Sequence, residues 1–260
     1  MLSLMGCATM ATSAQDARPP APEVRSTDSP VQTDTAEPPS VSGEVQKIDD
    51  NQYILGGVTF RKSTREISFD ARVNQTGGLI EFLLVTEKGK IHESLFSCII
   101  SPTDLNVAFK LLGYPSSPEL FEILAPDHRP TGKYPEVPEE VRTGARLVIS
   151  ASWQHDGAEK TCVVNELVKN TATDAVMQPG PWLYNGSLIH QGVFRAEATG
   201  DIIAVFSNPA AMINFPGEAR TNDEVWTVNQ SILPGKGSPV RITLKPFSKI
   251  TEPIKKAASP

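Results

Sequence analysis

Ile67-Ser68-Phe69-Asp70-Ala71-Arg72-Val73 is the stretch on which the fold turns. Apolar Ile67, Phe69, Ala71 and Val73 alternate with Ser68, Asp70 and Arg72. That period of two is a strand with one dry face and one wet face, as in an antiparallel sheet lying on a core. The reading extends in both directions. Upstream, Tyr53-Ile54-Leu55 and Val58-Thr59-Phe60 flank Gly56-Gly57, a tight-turn pair. Downstream, Gly77-Gly78 turns the chain into an apolar strand over Leu79 to Thr86. Glu87-Lys88-Gly89-Lys90 reads as a hairpin turn, and Ile91 to Ile100 as the returning strand.

Ser101-Pro102-Thr103-Asp104 is a helix-start signature. Leu105, Val107-Ala108, Phe109 and Leu111-Leu112 follow at helical spacing, and Gly113 supplies the stop. A second short helix is expected over Glu119 to Leu124, then a proline-rich loop from Pro126 to Pro138. Ala145 to Trp153 alternates again, Asp156-Gly157 turns, and Thr161 to Val168 returns as a second hairpin. Trp182 to Ile189, Gly192 to Ala196, Asp201 to Phe206, Val225 to Val228 and Val240 to Leu244 read as strands. Pro209 to Ile213 reads as a helical turn between them. The total is roughly ten strands with two or three short helices, an α+β class of mostly antiparallel sheet.

Composition bounds the function. The 260 residues are 39% hydrophobic and 21% charged, with a formal net charge of -6. Phosphate backbones call for a basic face, so nucleic acid is not an expected partner. No apolar run approaches the ~20 residues of a spanning helix.

The N-terminus suggests an address. Leu4-Met5-Gly6-Cys7 has the pattern of a bacterial lipobox, in which Cys7 receives a diacylglyceryl group. The residues before Cys7 are too few for a signal peptide and hold no Lys or Arg, so this reading puts the true start upstream. Ala, Ser, Thr, Pro, Asp and Glu dominate residues 8–44, the composition of a disordered tether. Residue 8 is Ala rather than Asp, which points to the outer membrane or the periplasmic face. The expected organisation is thus lipobox at 1–7, tether at 8–44, a globular domain at 45–250 and a frayed tail at 251–260. A division into two subdomains would fall near 126–144.

Two stretches carry a resemblance. Lys90-Ile91-His92-Glu93-Ser94-Leu95-Phe96 runs into Asp104-Leu105-Asn106-Val107-Ala108-Phe109-Lys110-Leu111-Leu112-Gly113. Ala145 to Trp153 is followed by the Asp-Gly turn and Val164-Asn165-Glu166-Leu167-Val168. Together they resemble the YdjY-like domain of bacterial exported proteins and lipoproteins, over most of Val58 to Leu244. The resemblance implies an envelope setting and brings no activity with it. Some members carry a cysteine-rich stretch labelled ferredoxin-like. Here Trp182 to Pro216 holds no cysteine, while a cluster needs four thiolates, so no cofactor is expected.

Candidate chemistry is sparse. Cys98 and Cys162 both fall on expected strands; they either pair as a disulfide or serve as two buried small hydrophobes. His92-Glu93-Ser94 offers a base and a nucleophile, and His92 and Glu93 are the first choice for a catalytic site. On a strand, however, His92 and Ser94 share a face that Glu93 does not. No GxSxG elbow exposes Ser94. His128, His155 and His190 stand singly, with no metal-ligand spacing between them. Gly235-Lys236-Gly237-Ser238 lacks the spacing of a phosphate loop and reads as a hairpin loop. Trp182, Tyr184, Phe194, Phe206, Phe215 and Trp226 read as core, although Pro179-Gly180-Pro181-Trp182 could present one aromatic to a glycan or protein. The expectation is a lipid-anchored envelope domain that binds or scaffolds, with another envelope protein or a wall polymer as partner. The alternatives are a hydrolase using His92 with Glu93 or His190, and a thiol or metal accessory factor using Cys98 and Cys162.

Overall fold

The computed structural model describes residues 41–248. Cys7, most of the tether and the tail from 249 lie outside the described residues. The first half holds β1 (Gln46–Lys47), β2 (Gln52–Leu55), β3 (Val58–Arg61), β4 (Glu66–Val73), β5 (Phe82–Thr86), β6 (Ser94–Cys98) and α1 (Pro102–Leu111). After a long loop come α2 (Glu139–Gly144), β7 (Arg146–His155), β8 (Ala158–Val163), β9 (Val168–Asn170) and β10 (Trp182–Tyr184). The chain finishes with β11 (Ile189–His190), β12 (Val193–Phe194), α3 (Arg195–Thr199), β13 (Asp201–Ala204), β14 (Ile213–Asn214), β15 (Trp226–Val228) and β16 (Pro239–Pro246). The class is α+β, dominated by antiparallel strands.

The main sheet closes on itself. Strands run β4-β16-β7-β10-β14-β13-β5-β6, and β6 pairs again with β4. β1, β2 and β3 extend the ladder from the first part of β4, and β8 adds to β7. β16 lies between β4 and β7, so the segments before and after the long loop share one ladder.

The alternation of Ile67 to Val73 fills the ring. Register aligns Phe69 with Ile242 and Ile242 with Ala151; the neighbouring row is Ile67, Leu244 and Ile149. All six are buried and belong to one core cluster. Small Ala151 offsets Phe69 in the first row, and three branched aliphatics fill the second, as close packing across three strands requires. The out-of-phase row is polar: Asp70 faces Arg241, which faces Ser152, which faces Thr161.

Helix α1 begins as expected. The Ser101 hydroxyl accepts from the amides of Thr103 at 3.1 Å and Asp104 at 3.3 Å. Gly113, with φ +70°, ends the segment. Phe109 anchors the helix, its ring 4.1 Å from that of Tyr184 at 13° and edge-on to Tyr114 at 5.1 Å. Asp104, also buried, accepts from the amide and hydroxyl of Ser42 and so ties down the start of the described chain.

Four expectations are corrected. β5 and β6 are parallel neighbours rather than a hairpin. The 86–89 turn forms, with the Gly89 amide on the Thr86 carbonyl at 2.9 Å, but β13 occupies the other edge of β5. Residues 87–93 then carry the chain back; seven residues reach up to ~25 Å, enough to retrace a five-residue strand of ~17 Å. Residues Ile91–Glu93 form a 3-10 turn, so the strand starts only at Ser94. The expected helix at Glu119 to Leu124 is absent, because Ile123 instead pairs its backbone with Lys133 and Thr131. Short helices form at Glu139–Gly144 and Arg195–Thr199, where hydrophobic periodicity is too brief to announce them.

Candidate functional site

His92 lies in the 3-10 turn with three-quarters of its side chain in solvent. Its Nε2 is 3.5 Å from Glu93 Oε1. The other oxygen of Glu93 is 3.5 Å from Lys90 Nζ, which bonds Glu81 at 2.7 Å. Lys90 is held protonated above its ordinary range, chiefly by the hydrogen bond to Glu81. Glu93 thus faces both the Lys90 ammonium and the His92 ring at a chain turn. Ser94 is fully buried and its hydroxyl donates to the Lys90 carbonyl at 2.6 Å, so it is engaged and out of reach of substrate. The turn also breaks the strand alternation that would have put His92 and Ser94 on one face.

The remaining histidines sit on separate turns and strands. His128 has φ +63°, in the turn between Ala125 and Arg129. His155 is 3.4 Å from Asp156 at the hairpin tip, and His190 lies on β11, paired with Val193. Among the described residues no group of three His, Cys, Asp or Glu side chains could hold a metal ion.

Cys98 and Cys162 are free thiols. Along the ladder β6-β4-β16-β7-β8 they are four strand spacings apart. Burial pushes the Cys98 thiol up to about 12, with Sγ 3.6 Å from the Val85 carbonyl. Burial, with Glu166 nearby, pushes Cys162 up to about 11. Neither yields appreciable thiolate near neutral pH. Trp182 is fully buried, its Nε1 donating to Asn165 Oδ1 at 3.0 Å. Trp182 is therefore the core side chain its reading gave, and the alternative of an aromatic presented after Pro181 does not hold. Trp153 and Trp226 are each 6% exposed, so no tryptophan offers an open face.

A site the sequence reading did not single out lies on the outer face of the ring. A groove of about 700 Å³ crosses β8, β7, β16, β4 and β6 at one end of their ladder. Asp70 and Arg72 of β4 line it, with Arg241 of β16, Glu159 of β8 and Glu87 beyond β5. Ala71, Trp153 and Val240 also border it, but their side chains are buried in the core, so they meet the groove with main chain. Ser97, Ser152 and Ser238 keep the bed low. Ile99, 83% exposed, forms an apolar wall. Asp70 and Arg241 pair at 2.8 Å. Among the described residues Arg72 has a single long hydrogen bond, 3.5 Å to the Gly237 carbonyl. Glu87 and Glu159 make no side-chain hydrogen bond or ion pair among the described residues. The signal was present in the wet half of Ile67 to Val73; what the sequence withheld was which other strands lie beside it.

The YdjY domain family model matches residues 58–245. The chain belongs to the YdjY domain family. The matched YdjY segment covers the strands of the closed ring, short only of Pro246 at the end of β16, and every charged residue of the groove. It leaves out β1 and β2. No curated protein and no solved structure matches the chain.

Proposed function

We propose that this is a lipid-anchored protein of the bacterial envelope whose YdjY domain is a binding module, with the outer groove as its binding surface and another envelope protein or a wall polymer as its partner. The observation that carries the binding reading is the groove: a large concavity floored by main chain, with charges of both signs that form no ion pair among the described residues. The contrast with His92 supports it, since that side chain stands in solvent beside an ion-pair network. The Leu4-Met5-Gly6-Cys7 motif and the tether composition support the anchor.

Two measurements test the reading in cells. Cys7→Ser moves the protein from the membrane fraction to the soluble fraction, and mass spectrometry finds the acyl mass only on the wild type. A photo-crosslinking residue at Ser152 gives a discrete adduct, and one at Lys62, outside the groove, does not. An unacylated, soluble wild type removes the anchor. Equal labelling at both positions removes the groove. His92→Ala leaves the adduct unchanged.

A further inference from the structure

We infer that the groove takes an extended peptide segment of a partner protein, in which one carboxylate is flanked on either side by a cationic side chain. This rests on the binding-module reading above and adds the ligand's chemistry. The charge order across the sheet carries it. From β8 towards β6 the groove presents Glu159, then the Arg241–Asp70 pair, then Arg72, then Glu87 beyond the end of β5. The central pair is satisfied internally at 2.8 Å. The charges open to a ligand are therefore Glu159 at one end, Arg72 near the middle and Glu87 at the other end.

A guanidinium whose one hydrogen bond among the described residues is a 3.5 Å approach to a carbonyl keeps most of its donors for a carboxylate. The two carboxylates beyond it demand cations. Glu159 on β8 and Glu87 past β5 are five strand spacings apart, ~24 Å along the sheet; five residues of extended chain supply ~17 Å, and the long arms of the two terminal cations make up the rest. The serines and exposed main chain in the bed suit the backbone of such a segment. Sugar recognition would want an open aromatic face. All three tryptophans are buried, and Trp153, the one beside the groove, is 6% exposed.

The test uses the full chain and three probes in calorimetry at low salt. The matched probe is acetyl-Lys-Ala-Glu-Ala-Lys-amide. The reversed probe is acetyl-Glu-Ala-Lys-Ala-Glu-amide. The third is chitotetraose. The matched probe is expected to bind at least about ten-fold more tightly than the reversed one, a difference of about 1.4 kcal/mol. Arg72→Ala lowers its affinity about ten-fold, and changing the probe's Glu to Gln then has little further effect. Glu87→Gln with Glu159→Gln weakens binding similarly and is insensitive to the central Glu. Arg72, Glu87 and Glu159 are surface residues, and a wild-type thermal midpoint in each variant excludes misfolding. Equal affinity for matched and reversed probes overturns the inference, as does binding that Arg72→Ala leaves intact, or no binding of the matched probe. Chitotetraose binding alone would overturn the peptide assignment and leave the binding module standing. Loss of the groove-specific crosslink would remove both.

Discussion

Gly200 and Gly113 form a natural pair for testing how tightly the ring is packed. Both have left-handed backbone, with φ +78° at Gly200 and φ +70° at Gly113. An alanine at either position meets the same conformational cost, about 1–2 kcal/mol. The surroundings differ. A Cβ on Gly113 meets nothing within 4 Å. A Cβ on Gly200 would run into Thr86 Oγ1 and would lie 2.7 Å from the Gly89 nitrogen and 2.9 Å from its Cα. Two of those three atoms are backbone, in the turn that follows β5, and the Thr86 amide bonds the Gly200 carbonyl at 2.8 Å. Relief requires β5 and β13 to separate where they pair. Overpacking of this kind adds about 1–3 kcal/mol. Gly113→Ala should therefore cost about 1–2 kcal/mol, and Gly200→Ala about 2–5 kcal/mol in total. At about 2–4 °C per kcal/mol for a domain of this size, the Gly200 variant should melt roughly 4–20 °C below wild type. Urea unfolding followed by tryptophan fluorescence reads the difference, because Trp153, Trp182 and Trp226 are all buried in the native state. Two variants within about 0.5 kcal/mol of each other would refute the close approach and, with it, the placement of the 87–93 return against α3 and β13.

Three further outcomes follow from buried polar groups. Asp201 is 5% exposed, one carboxylate oxygen has no partner, and burial raises its pKa against the opposing pull of Thr199 and Lys90. A carboxyl that is harder to ionise when folded binds more protons in the native state, so it favours folding at low pH and this advantage is lost as pH rises through its folded pKa. Asp201→Asn should raise the denaturation midpoint at neutral pH and flatten that dependence; a lower neutral midpoint in calorimetry would contradict the assignment. Native protein at pH 8 should react slowly with a thiol reagent at Cys98 and Cys162, and both should react at once in denaturant, given thiols held up to about 12 and about 11. Rapid native labelling of Cys98 would show that β6 opens. Asn165, 3% exposed, accepts from Trp182 and donates to the Gln178 carbonyl at 2.9 Å. Asn165→Ala leaves a buried indole N–H and a carbonyl without partners and should cost about 2–4 kcal/mol in urea unfolding, against under about 0.5 for exposed Lys236→Ala.

The sequence by itself determined the local grammar of the chain. Alternation at Ile67 to Val73 and Ala145 to Trp153 marked strands of β4 and β7, and Ser101 with Gly113 marked the ends of the α1 segment. These signals are local: side-chain period, capping chemistry and left-handed turns act within a few residues. They sufficed for the α+β class and for the packing of the core face. Tertiary structure alone decided which strands became neighbours. Glu87 to Lys90 looks like a hairpin turn, yet β13, more than a hundred residues later, takes one edge of β5 and leaves β6 to pair in parallel on the other. His92 left its expected strand because the same return needed a 3-10 turn. The groove depends still more on distance in sequence, since Asp70, Arg72, Glu87, Glu159 and Arg241 share it only once β16 lies between β4 and β7. Polar residues on a wet strand face look alike in sequence. Only strand order and register give them neighbours, and those are set by which apolar faces close the ring.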